Sequence, residues 1–408
     1  MEGTTTLSTE ALPKGFQWGA VKAGIKASGK MDLAMAVAPG GATAAAMFTT
    51  NQVVAAPVTV GRNHMASTSG RVKAVLVNAG NANCATGQAG IDGCTRTCVA
   101  AAEAFGCIFD EVFPSSTGII GVPFPAEKVI AALPDLKAAL GDTPAHGELF
   151  ARAIMTTDTR MKTASATVKI NGVEVTIFGA AKGAGMIHPR LGPPHATMLV
   201  YIFTDIAADV AELRAAMQPA VEQSFNSISI DGDTSTNDTV LLLASGASGA
   251  RLDDLSRASF TAALNQVCGK LAHAIVDDGE GVTHVVTLDI TGCRSDAEAK
   301  QIAKSIAHSP LCKTAWSSAD PNWGRLMAAA GYSGVQFDPA AVTVQIGSLP
   351  VYENGMRSPS FDEAETHRVM QQREYTIAMN FAQGEGVCRF LTCDLTEEYV
   401  HINADYST

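Results

Sequence analysis

Residues 165–181, SATVKINGVEVTIFGAA, restrict the fold more than any other stretch of the chain. Two runs of alternating apolar and polar residues flank Asn171-Gly172. An Asn-Gly pair between such runs signals a two-residue type I′ loop, which fixes the register of the strands it joins. A slip of one residue would turn every core side chain to the outside, so the chain must hold an antiparallel sheet with a buried face. Further strands are expected at Thr43–Thr50, Val72–Val77, Val200–Phe203, Val240–Leu243, His284–Thr291 and Leu311–Trp316. Helical patterns run over Ile91–Phe105, Ala126–Leu140, Asp209–Glu222, Leu255–Ala274, Asp296–Ser309 and Trp323–Ala330. Pro134 falls inside the second of these and should break or kink it. The tail alternates with period two in Ala340–Met356 and Arg373–Thr396. Strands and helices interleave without a simple βαβ period. The expected class is α+β, with mixed sheets covered by helices and a smaller α/β subdomain at about 283–345.

Composition narrows the function. Apolar residues make up 47% of the 408 and charged residues only 17%, which suits a compact fold and does not suit disorder. A formal net charge of −11 argues against a nucleic-acid partner, because phosphate binding needs a basic face. No run approaches the ~18 apolar residues of a membrane helix. The first residues, MEGTTTLSTEALPKG, have no apolar core and are not rich in arginine, so no secretory or transit peptide is expected and the location should be cytoplasmic. Nine cysteines are scattered, with no Cys-x-x-Cys pair and no zinc spacing, and are expected to be reduced. Cys94 and Cys98 should share a helix face, and Cys388 and Cys393 should lie in or beside a strand.

Several stretches carry chemistry. In FPSSTGIIG (Phe113–Gly121), the hydroxyls of Ser115, Ser116 and Thr117 precede Gly118. A hydroxyl next to an unencumbered Gly N–H can aim two donors at one oxygen, although an ordinary Ser/Thr turn reads the same way. VLVNAGNANCATG (Val75–Gly87) is a strand emptying into a loop of small residues. No Gly-Lys-Ser/Thr follows it, so close packing explains it better than phosphate binding. DGDTSTNDT (Asp231–Thr239) lacks the spacing of a calcium loop and reads as a hydrogen-bonded turn network. DDGEG (Asp277–Gly281) places carboxylates at a helix C-terminus, where they are disfavoured. Glu280 is thus a candidate to face a cationic ligand, with a solvated loop as the simpler account. Ala196 and Thr197 stand between the Gly- and Pro-rich segment KGAGMIHPRLGPPH and the apolar strand, where a strand start after a loop is the plain reading.

Together VNAGNANCATG, SSTGIIG, AIMTTDT, KGAGMIHP, ATMLVYIFTD, SISIDGDTSTNDT, DPNWGRLMAAAGYSG and YVHINADYST resemble, in the same order, the ornithine acetyltransferase (glutamate N-acetyltransferase) family of arginine biosynthesis. The resemblance implies an αββα-type sandwich and self-cleavage between Ala196 and Thr197. It gives an alpha chain, 1–196, with the oxyanion and Lys-Gly loops, and a beta chain, 197–408, with the nucleophile strand, the subdomain and a substrate-binding tail. Thr197 becomes the nucleophile, with its new α-amine as general base. Thr117 and Gly118 are the implied oxyanion donors. Thr156, Lys182, Thr197, Glu280, Asn403 and Thr408 are the implied substrate ligands. Acetyl passes from N2-acetylornithine to Thr197 and then to glutamate, a double displacement with no metal or organic cofactor. Acetyl-CoA stays open as a co-substrate, and the implied assembly is a heterotetramer of two alpha and two beta chains. The spacer Arg190–His195 is longer than the family's usual one. The competing class is a self-processed N-terminal-nucleophile aminopeptidase or amidase, which would pass the acyl group to water. A third is an uncleaved, inactive homologue.

Overall fold

The computed structural model describes residues 6–7, 11–189 and 198–405. Its larger sheet contains β1 (Thr6–Leu7), β2 (Gln17–Val21), β3 (Leu33–Phe48), β4 (Arg71–Asn81), β5 (Val112–Ile119), β6 (Lys162–Ile170), β7 (Val173–Lys182), β8 (Leu199–Thr204) and β9 (Thr239–Ala244). The smaller one contains β10 (Val285–Cys293), β11 (Thr343–Ile346), β12 (Leu349–Glu353), β13 (Met356–Arg357), β14 (Glu374–Asn380) and β15 (Gly386–Cys393). The helices are α1 (Ala56–Ser67), α2 (Gly87–Phe105), α3 (Ala126–Ala138), α4 (Pro144–Ala153), α5 (Val210–Gln223), α6 (Arg257–Asp277), α7 (Asp296–Ala307), α8 (Pro310–Ser317), α9 (Trp323–Gly331), α10 (Glu363–Met370) and α11 (Glu397–Asp405).

The long strand β3 makes the sandwich. Its first half pairs with β2 and β4, its second half with β9, and the register shifts between Val37 and Ala42. Gly41 there takes a φ of 77°, which an L side chain adopts only at a cost. The sheet therefore folds back on itself into two layers, β2–β5 and β6–β9. Between them lies a core in which the small side chains of β3 (Ala34, Ala36, Ala44) face Trp18, Phe113, Phe150, Phe178, Tyr201 and Phe203. Edge-on ring pairs fill it, such as Trp18 with Phe203 at 5.4 Å and Phe150 with Tyr201 at 5.5 Å. On the outer faces α5 and α6 cover β6–β9, and α2 and α3 cover β3 and β4. This is the αββα order.

The Asn171-Gly172 turn is as expected, with φ of 51° and 82° and with Ile170 opposite Val173. Three expectations fail. Leu311–Trp316 is helical, as α8. Ser309 caps it, Pro310 opens it, and Cys312, Ala315 and Trp316 recur at helical spacing on the buried side. Helix α3 passes through Pro134 unbroken, held by Val129, Ala132, Leu133 and Leu136 against the core while Pro134 faces solvent. The smaller sheet is not confined to 283–345. It runs β13-β12-β11-β14-β10-β15 and ends at Cys393.

The sheet order brings several strand ends to one place. Lys182, the last residue of β7, pairs with Leu199, the first of β8, and Leu199 pairs with Thr239, the first of β9. Gly118 near the end of β5 pairs with Gly80 of β4.

Pro134 is an exposed interruption in an otherwise good helix, so Pro134→Ala should stabilise the protein. Helix propensity favours Ala by about 3 kcal/mol, offset by roughly 1 kcal/mol of extra unfolded-state freedom. A thermal melt should show a higher midpoint; an unchanged or lower one would mean that the proline carries a packing role.

Candidate active site

A cavity of about 110 Å³ opens at these strand ends, and Thr117, Gly118, Thr156, Lys182, Glu280 and Asn403 all line it. Two larger grooves, of about 450 and 480 Å³, lie elsewhere and hold none of these residues. Six expected site residues from five separate parts of the chain therefore meet in one place. Ala196, Thr197, Thr408 and the spacer Arg190–His195 lie outside the described residues.

The wall formed by Thr117 and Gly118 follows from close backbone packing. Gly118 has a φ of 129° and a Cβ there would run into the Gly80 backbone, so only glycine fits. Of the three hydroxyls before it, Ser116 Oγ is turned away and donates to Asn78 Oδ1 at 2.6 Å. Ser115 is buried as well, and Thr117 is the one that lines the cavity. Asn237 Nδ2 donates to the carbonyls of Ala82 (2.6 Å) and Ser116 (2.8 Å), which ties the DGDTSTNDT segment to β5 and the loop after β4. That segment is the turn network expected of it: Asp231 also accepts from the Met186 and Ile187 N–H groups at 2.6 and 2.9 Å.

Lys182 lines the same cavity. Its Nζ donates to Thr117 Oγ1 at 3.2 Å. Burial draws its pKa down, against the pull of Asp158, while Lys162 lowers it further and Glu280 and Asp238 raise it. Glu280 lines the cavity as well. Its carboxylate presses on Gly185 so closely that a Cβ there would collide, and Oε2 accepts from Asn403 Nδ2 at 2.8 Å.

Beneath the cavity lies a set of buried charges that spacing alone did not reveal. Lys162 Nζ donates to Asp158 and to Asp278, each at 2.6 Å, and all three side chains are almost fully buried. Asp158 Oδ2 accepts the Thr156 N–H at 2.9 Å and Oδ1 the Gly183 N–H at 2.7 Å. Asp278 accepts the N–H groups of Thr159 (3.0 Å) and Arg160 (3.1 Å). Burial alone would raise the Asp158 carboxyl, but Lys182, Lys162 and the Gly183 N–H outweigh it and hold it at about 2. Asp158 stands inside AIMTTDT and Asp278 inside DDGEG, so the motifs contained them, but nothing local announces that they share a lysine. Asp238 is a further buried carboxyl. Burial pushes it well above the carboxylate range, and one of its oxygens has no partner among the described residues. All nine cysteines are free.

The profile of the ArgJ family matches residues 17–408. The arginine biosynthesis bifunctional protein ArgJ of Thermus thermophilus is 42% identical over 398 residues, covering 97% of this chain and 99% of the relative. That of Geobacter sulfurreducens is also 42% identical, over the same shares of both chains. Among solved structures, ArgJ from Bacillus halodurans aligns with 36% identity and a TM-score of 0.48, over 52% of this chain and 100% of that one. Ornithine acetyltransferase from Mycobacterium tuberculosis, complexed with ornithine, aligns with 37% identity and a TM-score of 0.43, over 46% and 100%.

Lys162→Met would leave Asp158 and Asp278 buried without their shared cation. Breaking a buried pair in this way costs about 3–5 kcal/mol, which urea unfolding should read directly. Asp158 is held at about 2, below its ordinary 3.8, so its contribution is present above the higher value and is lost as pH falls through the lower one. The wild-type urea midpoint should drop across that acid window, and Asp158→Asn should remove that part of the drop.

Proposed function

The chain belongs to the ArgJ family, and from that premise we propose how its cavity carries acetyl from N2-acetylornithine to glutamate. The chain is a glutamate N-acetyltransferase of arginine biosynthesis. The observation that carries the residue-level reading is the convergence of Thr117, Gly118, Lys182, Glu280 and Asn403 on one small cavity beside the start of β8.

In this reading the Ala196–Thr197 bond is cut by attack of the Thr197 hydroxyl on the Ala196 carbonyl, an N→O acyl shift, and hydrolysis of the ester. The freed α-amine titrates near neutral pH and serves as the base that an internal threonine lacks. It takes the Thr197 Oγ proton as Oγ attacks the acetyl carbonyl of N2-acetylornithine. The tetrahedral oxyanion accepts from the Gly118 N–H and the Thr117 hydroxyl. Because Lys182 Nζ donates to Thr117 Oγ1, the Thr117 proton is free to point at the oxyanion. Collapse expels ornithine, which leaves with that proton on its α-nitrogen, and acetyl remains as an ester on Thr197. The glutamate amine then attacks the ester and gives its proton to the Thr197 amine, which passes it to Thr197 Oγ as the Oγ–acetyl bond breaks and N-acetylglutamate leaves.

Lys182 offers its remaining donors to the α-carboxylate that both substrates share. Glu280, anchored through Oε2 to Asn403, turns its other oxygen to the side-chain ammonium of ornithine. Thr156 and Thr408 complete the ligand set. The scheme draws on no metal or organic cofactor. Acetyl-CoA as a second donor, a heterotetramer of cut alpha (1–196) and beta (197–408) chains, and a cytoplasmic location belong to the same proposal. No helix among the described residues is long and apolar enough to cross a membrane.

The test is to follow labelled acetyl from acetylornithine. Label on glutamate supports transfer, and label as free acetate supports the hydrolytic alternative. Thr197→Ala should stay one full-length chain and transfer nothing, on a denaturing gel and in the same assay. Thr117→Ala should lower kcat by about 10²–10³ with little change in KM, as loss of one oxyanion donor does. Lys182→Met should impair acetyl-enzyme formation and its discharge alike. Glu280→Gln should impair the ornithine half-reaction more than the glutamate half, and equal losses would assign it to the Thr197 amine instead.

A further inference from the structure

The loop between β2 and β3 holds a lysine that lies outside the cavity lining yet touches its frame. Asp32, fully buried, folds this loop: its carboxylate accepts the N–H groups of Ala23 at 2.6 Å, Ile25 at 2.5 Å and Lys26 at 2.8 Å. The loop so shaped lays the Lys26 stem over Gly80, where an added Cβ would stand 3.0 Å from Lys26 Cγ. Gly80 is the residue against which Gly118 packs. The Lys26 ammonium goes on to donate to the carbonyls of Met31 at 2.7 Å and Ala153 at 3.1 Å. Ala153 closes α4 just ahead of Thr156, and a helix C-terminus welcomes a cation.

We propose that Lys26 is a positioning residue for acyl transfer: its stem holds the Gly80 backbone against Gly118, and its ammonium fixes the end of α4, so that the Gly118 N–H and the Thr156 segment keep their places as the oxyanion forms. The inference rests on Thr117 and Gly118 being the oxyanion donors. The groups acting on the ammonium come from three segments: Asp32 and Lys30 of its own loop, Lys182 of β7, and Asp158 after α4. Burial is the largest influence and lowers the pKa, Asp32 and Asp158 oppose it, and Lys182 and Lys30 add to it, leaving the value at about 8. Below that pH the ammonium is charged and holds both carbonyls. Above it the charge is lost and the hold on α4 weakens, so the catalytic step should slow on the alkaline side.

The experiment is single-turnover acetyl-enzyme formation from N2-acetylornithine, from about pH 6.5 to 9.5, in wild type, Lys26→Met, Lys26→Arg and Thr117→Ala. Lys26→Met keeps a stem of similar length without charge. It should lower the maximal rate roughly 10- to 100-fold, as a small misplacement of catalytic groups does, with KM within about twofold, and it should lose the alkaline limb. Lys26→Arg should keep the low-pH rate and carry it past the pH at which the wild type falls. A mere packing role would spare Lys26→Met and leave the pH profile in place. Wild-type rates for Lys26→Met across the range, or a loss confined to KM, would overturn the inference. If Lys26→Met does not fold, Lys26→Arg decides alone: a displaced alkaline limb supports the role, and an unmoved one overturns it. Loss of activity in Thr117→Ala beside normal Lys26 variants removes only this inference, whereas a normal Thr117→Ala removes the oxyanion assignment beneath it.

Discussion

The bond pair between Lys162 and the carboxylates of Asp158 and Asp278 is the constraint on which the cavity depends. Each carboxylate also accepts backbone N–H groups from a different segment. Asp158 joins the Thr156 loop to the end of β7, and Asp278 joins the end of α6 to the segment after Asp158. The three charges are almost fully out of water, so their desolvation offsets much of their attraction. Their effect is better understood as geometric. A buried ion triad with every oxygen committed tolerates few arrangements, and the one it permits holds Thr156, Lys182 and Glu280 around a common space.

Glycines do the complementary work where a side chain would have to be removed. Gly118 permits β5 to approach the Gly80 backbone. Gly185 leaves room for the Glu280 carboxylate against the Lys-Gly loop. A preorganised pair of donors gains its effect from not having to move when charge develops. If Thr117 and Gly118 act as proposed, that rigidity comes from backbone contacts that exclude even a methyl group.

What could be read from the sequence follows from how local each cause is. The β6–β7 hairpin was legible because Asn171 and Gly172 decide its turn and register within four residues of backbone. Leu311–Trp316 was not, because a short apolar run fits a buried strand or a buried helix turn equally, and the cap at Ser309 and Pro310 decided it. The continuity of α3 through Pro134 is set by the core that its buried face meets, which is a tertiary effect. Thr117, Gly118, Lys182, Glu280 and Asn403 were found through motifs resembling a family, and no spacing rule connects them. The ion triad pairs residues more than a hundred positions apart, with only Asp158 and Lys162 at close spacing, so its existence waits on the fold.

The charge balance around Lys182 gives the cavity its preference. Asp158 is already committed to Lys162, to Thr156 and to Gly183. Burial pushes the Asp238 carboxyl upward, against the pull of Thr49 and Lys182. Glu280 is turned toward Asn403. Among the described residues, the hydrogen bond of the Lys182 ammonium goes to the Thr117 hydroxyl and not to a carboxylate. A buried ammonium in that state is short of an anion. In the mechanism proposed above, the α-carboxylate of an incoming amino acid supplies one and leaves the Thr117 proton free for the oxyanion. In that mechanism, binding it would stabilise the charged lysine while bringing the acyl nitrogen toward Gly118, so that recognition of the shared end of both substrates and preparation of the oxyanion site would be one electrostatic event.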